Sequence, residues 1–214
     1  SCEFFTTLCA PISSYPYLED FDATTGADVP PCYASIATAA NGIFSWRSNA
    51  GPTASTSTGP SVDHTLGNAT GRYVYTEASS PASQGDTAYL ELPEFDLTSL
   101  AVPELVYWYH MYGADITRLN LEIFNTTTST WDSVFSIVGE QQTANSDPWL
   151  QQRYDLSAYT SATNLRMRFV TFRGASFNGD VSLDDIGVRE TPACIDPINL
   201  VATNATASSV SLSW

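Results

Sequence analysis

The stretch Glu104-Leu105-Val106-Tyr107-Trp108-Tyr109-His110-Met111-Tyr112-Gly113 holds a single carboxylate, is rich in aromatic and β-branched side chains, and is bounded by Pro103 and Gly113. Such a run is stable in water only when both of its faces are largely covered, so it reads as a central strand. Alternation sends Leu105, Tyr107, Tyr109 and Met111 to one side, and Val106, Trp108, His110 and Tyr112 to the other. Its neighbours are simpler. Tyr89-Leu90-Glu91-Leu92 before it and Leu119-Asn120-Leu121-Glu122-Ile123-Phe124 after it alternate apolar with polar residues, the pattern of strands that keep one wet face. One-sided strands flanking a two-sided one predict an all-β, antiparallel sandwich.

Working outward, further strands are predicted at 17–22, 43–47, 72–77, 87–92, 131–138, 150–156, 165–172 and 180–188, and no segment shows a helical period. Residues 23–40, with Pro30-Pro31, read as loop. From Ser48 to Gly71 the chain is mostly Gly, Pro, Ser, Thr and Asn; an excursion of that length in a folded domain is expected to be functional or tied down by a ligand.

The 214 residues, 43% of them hydrophobic, suffice for one large domain with a substantial core. The formal net charge is −15 and all eight basic residues are arginine. Nothing here could displace the counterions of a phosphate backbone, so nucleic acid and anionic membrane are poor partners, and no nucleic acid is expected to bind. The acidity fits extracellular solubility, or carboxylates converging on a cation such as Ca²⁺. No apolar run is long enough to span a bilayer and no signal peptide is seen, so the expectation is a mature secreted piece of something longer, with no membrane insertion. Cys2, Cys9, Cys32 and Cys194 lack metal-ligand spacing. An even count in such a chain favours disulfides; of the three possible pairings, Cys2 with Cys9 and Cys32 with Cys194 are expected.

Catalytic constellations are absent from the pattern. His64 and His110 are the only near-neutral bases, no nucleophile elbow or phosphate loop occurs, and His110 at mid-strand reads as a core histidine. Adjacent carboxylates such as Asp184-Asp185 should point to opposite faces of a strand and so cannot flank a glycosidic bond. The chain is expected not to be an enzyme.

Phe44-Ser45-Trp46, Gly59-Pro60-Ser61-Val62-Asp63-His64-Thr65, Tyr73-Val74-Tyr75-Thr76-Glu77, Tyr107-Trp108-Tyr109-His110-Met111-Tyr112-Gly113, Trp131, Trp149 and Gly179-Asp180-Val181-Ser182-Leu183-Asp184-Asp185-Ile186 run in the order of the MAM domain family, which the chain resembles over residues 17–190. The resemblance implies a jelly-roll β-sandwich, a secreted or cell-surface location, and a non-catalytic role in adhesion or association. The first strand looks more like multidomain secreted proteins of marine Bacteroidetes. Residues 1–16 are read as a disulfide-stapled lead-in, 17–191 as the MAM-like domain, and 192–214 as the start of a domain that resembles fibronectin type III, with Ser211-Leu212-Ser213-Trp214 as its clearest match.

Since the first and last strands of a jelly roll can lie side by side, Glu19 and Asp22 are expected beside Asp184 and Asp185, with Asp63 from the long loop, around a structural Ca²⁺. Trp131, Trp149, Tyr154 and Phe177 are the candidates for a ligand platform. The expected function is a binding or adhesion module that recognises extracellular protein or polysaccharide beside flanking domains of the same polypeptide. The other reading is an accessory module of a secreted polysaccharide hydrolase or metallopeptidase whose catalytic domain lies elsewhere.

Overall fold

A computed structural model describes residues 9–39, 42–194, 201–203, 206, 209 and 211–213. The strands are β1 (Tyr17–Glu19), β2 (Ala34–Ala37), β3 (Trp46–Ala50), β4 (Arg72–Thr76), β5 (Thr87–Glu91), β6 (Pro103–His110), β7 (Arg118–Asn125), β8 (Thr130–Val138), β9 (Leu150–Asp155), β10 (Met167–Phe172), β11 (Ser182–Glu190), β12 (Val201–Thr203) and β13 (Ser211–Ser213). Ser157–Tyr159 makes the one helical turn among the described residues. One sheet runs β3-β4-β11-β6-β9 and the other β2-β5-β10-β7-β8, each antiparallel throughout; β12 and β13 form a separate hairpin. The two sheets face each other as a jelly-roll β-sandwich.

The aromatic run is β6, and its two faces behave differently. Leu105, Tyr107, Tyr109 and Met111 enter the core between the sheets, where Tyr107 meets Phe169 of β10 edge-on at 4.7 Å. Trp108 and His110 lie on the opposite face with Tyr73, Tyr75 and Trp149, beneath the long loop. Both faces are covered, as the composition requires. In the second sheet Leu119, Leu121 and Ile123 of β7, and Met167 and Phe169 of β10, face inward, while Asn120, Glu122, Phe124 and Arg168 take the outer side.

β11, the last strand of the sandwich, also carries β1 as the sixth strand of its sheet, with Tyr17 opposite Val188 and Glu19 opposite Ile186. β1 is shorter than predicted because the Glu19 carboxylate accepts the Phe21 amide (2.9 Å) and Phe21, at φ +58°, turns into the core. The stretch predicted as loop contains β2, an edge strand of small residues whose pairing with β5 gives it a structure its own periodicity does not announce. β3 begins at Trp46, since Ile43 and Phe44 are taken up by packing ahead of the ladder.

The disulfide expectation is corrected. Cys9 pairs with Cys32, at a Cα separation of 5.7 Å, and Cys194 is free and exposed; Cys2 lies outside the described residues. The lead-in reaches Cys32 because Ile12 bridges to Phe95 just past β5, and the Tyr15 hydroxyl donates to the Asp96 carbonyl (2.8 Å). That path lays Cys9 beside the chain entering β2, the edge partner of β5. The lead-in is thus stapled to the sandwich and not to itself.

Candidate functional site

The segment 51–71 lies across the outer face of the six-stranded sheet, fastened along its length. Thr58 Oγ1 accepts the Asp180 amide (2.9 Å), the Gly59 amide donates to the Tyr112 carbonyl (2.9 Å), the Ser61 amide to Asn145 (2.8 Å), and Trp149 Nε1 donates to the Val62 carbonyl (3.1 Å). Beyond these anchors the chain makes a tight turn around the Asp63 carboxylate, which accepts the amides of Leu66 (2.6 Å) and Asn68 (3.1 Å). What ties the long excursion down is therefore the protein's own hydrogen bonding.

The next residue, His64, joins this turn to the last strand. Its amide donates to Asp184 Oδ2 (2.8 Å), its Nδ1 is paired with Asp185, its ring stacks on Trp108 at 3.7 Å, and the Thr65 hydroxyl donates to Asp185 Oδ1 (2.8 Å). Asp184 and Asp185 thus address one loop, contrary to the expectation that they point to opposite faces. The cause is a β-bulge. The register of β11 shifts between Asp184 and Gly187, and Asp185 takes φ +46°, a left-handed conformation that Asp tolerates.

Asp22 approaches the same cluster from the first strand's exit. Its Oδ1 accepts the Arg72 amide (2.7 Å), and its acidity is weakened by burial and then by the charges of Asp20, Asp63 and Asp185. Burial first, then Asp185 and Asp63, push the Asp184 carboxyl up to about 9 against the pull of two amides. Glu19 is set apart from them: it holds the Phe21 amide and lies near Tyr17 and Tyr33, whose hydroxyls share a hydrogen bond (3.1 Å). Four of the five predicted cation ligands therefore gather between the loop and β11, each accepting at least one N–H. As the side chains stand, no three His, Cys, Asp or Glu among the described residues are grouped closely enough to hold a metal ion. Asp184 is fully buried among these carboxylates, and the His64 ring lies against Asp185 beside it.

Two buried titratable groups lie deeper under the loop. Asp180 is wholly buried; Oδ1 accepts the Ala78 amide (2.9 Å), Oδ2 has no partner, and burial raises its carboxyl to about 7. His110, also wholly buried, lies edge-on to Trp149 at 5.6 Å; burial lowers it to about 4 against the pull of Asp147, keeping the ring neutral. It is a core histidine.

The four predicted platform aromatics are not brought together. Trp149 plugs the space under the long loop, Tyr154 on β9 packs at the edge of the core near Phe135, and Phe177 is exposed in the loop before β11. Trp131 differs. It stands half-buried on the outer face of the five-stranded sheet, edge-on to Phe124 (5.4 Å), with the Arg168 guanidinium 4.1 Å from its ring centre.

Residues the sequence reading passed over complete this face. Arg168 is sandwiched between Trp131 and Tyr89 (4.3 Å) and paired to Glu122 (2.7 Å); Arg166 lies over Phe124 (4.5 Å) and Arg118 over Phe172 (4.3 Å). A hollow of about 500 Å³ lined by Trp131, Arg166, Tyr33 and Glu94 opens on one side of this array, and one of about 290 Å³ lined by Phe124, Asn125, Asp132 and Tyr159 on the other. The available signal was alternation: Arg166, Arg168 and Phe172 fall on one side of β10, away from Met167 and Phe169.

Comparison with known proteins agrees with this architecture. The model of the "MAM domain, meprin/A5/mu" family matches residues 23–194. MAM domain-containing glycosylphosphatidylinositol anchor protein 1 of Gallus gallus is 30% identical over 160 residues, covering 72% of this chain and 16% of that protein. MAM domain-containing protein 2 of Mus musculus is 30% identical over 151 residues, 69% of this chain and 20% of that one. The chain thus spans a small part of the length of these relatives. Among solved structures, the K1 cleaved adhesin domain of Lys-gingipain from Porphyromonas gingivalis W83 superposes with a TM-score of 0.57 at 14% identity, over 84% of this chain and all of that one, a likeness of fold. By its family match, and by a fold in which the Asp63-His64-Thr65 turn is docked on Asp184-Asp185, the chain belongs to the MAM domain family.

Proposed function

We propose that this MAM domain is a non-catalytic recognition module of an extracellular or cell-surface protein. The observation that carries the reading is the outer face of the five-stranded sheet, where Tyr89, Phe124, Trp131 and Phe172 stand half-buried among polar side chains and open hollows. Rings held in this way offer flat apolar contact with hydrogen-bonding groups alongside, the combination that sugar rings and extended polymers use. On the other sheet His64, Asp63, Asp184 and Asp185 hold a loop to a strand, and His110 is sealed in the core, so the acid–base groups serve architecture. The Cys9–Cys32 disulfide and the anchor named in the chicken relative support an oxidising, extracellular setting. No helix among the described residues is long and apolar enough to cross a membrane. The β12–β13 hairpin is read, within this proposal, as the start of a fibronectin type III-like domain. The test is binding of the purified chain to an array of extracellular polysaccharides and matrix proteins, with Trp131→Ala beside it. Retention on at least one partner, lost in the variant, is expected; binding that ignores Trp131 would overturn the choice of face.

Calcium enters the reading as a structural ion. Asp22, Asp63, Asp184 and Asp185 would hold it by turning toward one another from the hydrogen bonds they now accept, and it would supply positive charge to carboxylates that are buried or crowded together. In a thermal melt, millimolar Ca²⁺ against EDTA should raise the midpoint by roughly 5 to 10 °C, the effect of a ligand near a hundred times its Kd on a domain of this size. Asp184→Ala should lose that rise. Superimposable curves for the unaltered protein would eliminate the ion.

A further inference from the structure

Six of the eight arginines engage their guanidinium groups with protein oxygens. Arg47 holds the Ile43 carbonyl, Arg72 the hydroxyls of Thr24 and Ser48, Arg153 Gln151, Arg168 Glu122, Arg173 the carbonyls of Ala78 and Gly174, and Arg189 Glu104. Arg118 and Arg166 alone, among the described residues, have no hydrogen bond or ion pair from the guanidinium. Each rests on an aromatic ring, Phe172 and Phe124 respectively, and both belong to the outer face of the five-stranded sheet. In a chain with 23 acidic residues to eight basic ones, carboxylate partners are plentiful. Yet the acids near this face are engaged elsewhere: Glu91 and Glu122 flank Arg168, at 3.9 and 2.7 Å, and Glu94, which lines the hollow beside Arg166, accepts from Asn164 (2.9 Å). A guanidinium stacked on a ring keeps its N–H edge free for bidentate contact with a carboxylate or sulfate.

Arg118 lies next to Phe172 across the β7–β10 ladder, six residues along the strand from Arg166, so the strand positions that carry the two free guanidiniums are about 20 Å apart. Between them come the polar groups of Ser133, Ser136 and Asn120, and Arg168 with its carboxylate neighbours Glu122 and Glu91. Beside Arg118, a hollow of about 380 Å³ is lined by Gln84, Thr117, Phe172 and Arg173, with no carboxylate. Exposed aliphatic side chains are confined to the edges of this face, at Ile36 and Val138.

We propose that this face binds an extended acidic polysaccharide, with Arg118 and Arg166 reading acid groups at separate points along it; the proposal rests on the recognition-module reading above. A small anion could reach only one of the two cations, whereas an acidic glycan meets both and matches its hydroxyls to the exposed serines between them. The overall negative charge does not prevent this, because at physiological salt repulsion from distant carboxylates is screened beyond about 8 Å, while contacts at the face are not.

The experiment compares each charged polymer with its neutral counterpart: polygalacturonate beside its methyl ester, and dextran sulfate beside dextran, by affinity electrophoresis and calorimetry. The unaltered chain should bind at least one charged polymer at least tenfold more tightly than its neutral partner. The double variant Arg118→Gln/Arg166→Gln should lose that preference while remaining folded, with a melting temperature lowered by only a few degrees, since each guanidinium touches the fold through the face of a ring and through no hydrogen bond. Equal binding of charged and neutral polymers that still depends on Trp131 would overturn the reading of charge and leave the recognition face standing. Binding to none of the four would overturn this proposal, and the array above would separately decide the wider reading. A double variant that binds as the unaltered chain does would overturn it too.

Discussion

Asp180 is a carboxyl whose charge the fold tolerates poorly, and replacing it with Asn should stabilise the protein in a pH-dependent way. The carboxyl is wholly buried, one oxygen is satisfied by the Ala78 amide, and the other has no partner. Burial, and after it the charge of Glu77, raise the group from 3.8 to about 7, against the pull of the Ala78 amide, the nearby Thr53 hydroxyl and Arg47. Because the folded value lies above the unfolded one, the native state binds the extra proton between about pH 4 and 7. Stability from this group is therefore greatest at acid pH and declines as pH rises through that window. At about 1.4 kcal/mol per unit, the decline amounts to at most about 4 kcal/mol. The Asp180→Asn side chain would keep the acceptor for Ala78 and replace the partnerless oxygen with a neutral amide. Urea unfolding of the original protein and Asp180→Asn from pH 4.5 to 8.5 isolates the effect, because the other titrating groups contribute to both. The stability difference should grow in favour of the variant toward alkaline pH and level off above pH 8. A difference that stays constant across the range would refute the reasoning.

Other expectations follow from single contacts. Replacing Cys9 and Cys32 by Ala opens a loop of 23-residue separation and should cost about 3 kcal/mol, seen as a fall of roughly 6 to 12 °C in the melting temperature; an unchanged melt would mean the staple adds nothing. His64→Ala removes both the pairing to Asp185 and the stack on Trp108, so it should destabilise by roughly 1 to 3 kcal/mol and speed amide exchange at Leu66 and Asn68; unaltered protection there would show that the turn holds itself. A methyl group at Gly71 would lie 2.1 Å from Asp63 Oδ2, so Gly71→Ala should displace that carboxylate at about 1 to 3 kcal/mol, checked by urea midpoint.

Much of this architecture is legible in the linear chain, because the features concerned depend on period and composition. The uncharged aromatic run could only be a strand covered on both faces, and it is β6, buried between the sheets on one side and beneath the 51–71 loop on the other. The alternation of β7 and β10, the pairing of first with last strand, and the gathering of Asp22, Asp63, Asp184 and Asp185 were likewise within reach of residue order and family resemblance. The tertiary structure decided what local pattern cannot encode. Cys9 meets Cys32 because the lead-in runs along the end of β5, a partner more than eighty residues away. Asp184 and Asp185 address the same loop because a bulge forms where β11 changes partners from β4 to β1, a register event invisible in a dipeptide. Trp131 and Trp149 look alike in sequence, yet one is half-exposed and the other sealed, since exposure depends on which sheet and which loop lie above a ring. The free guanidiniums of Arg118 and Arg166 follow the same logic: charge is a property of the residue, whereas the absence of a partner is fixed by everything folded around it.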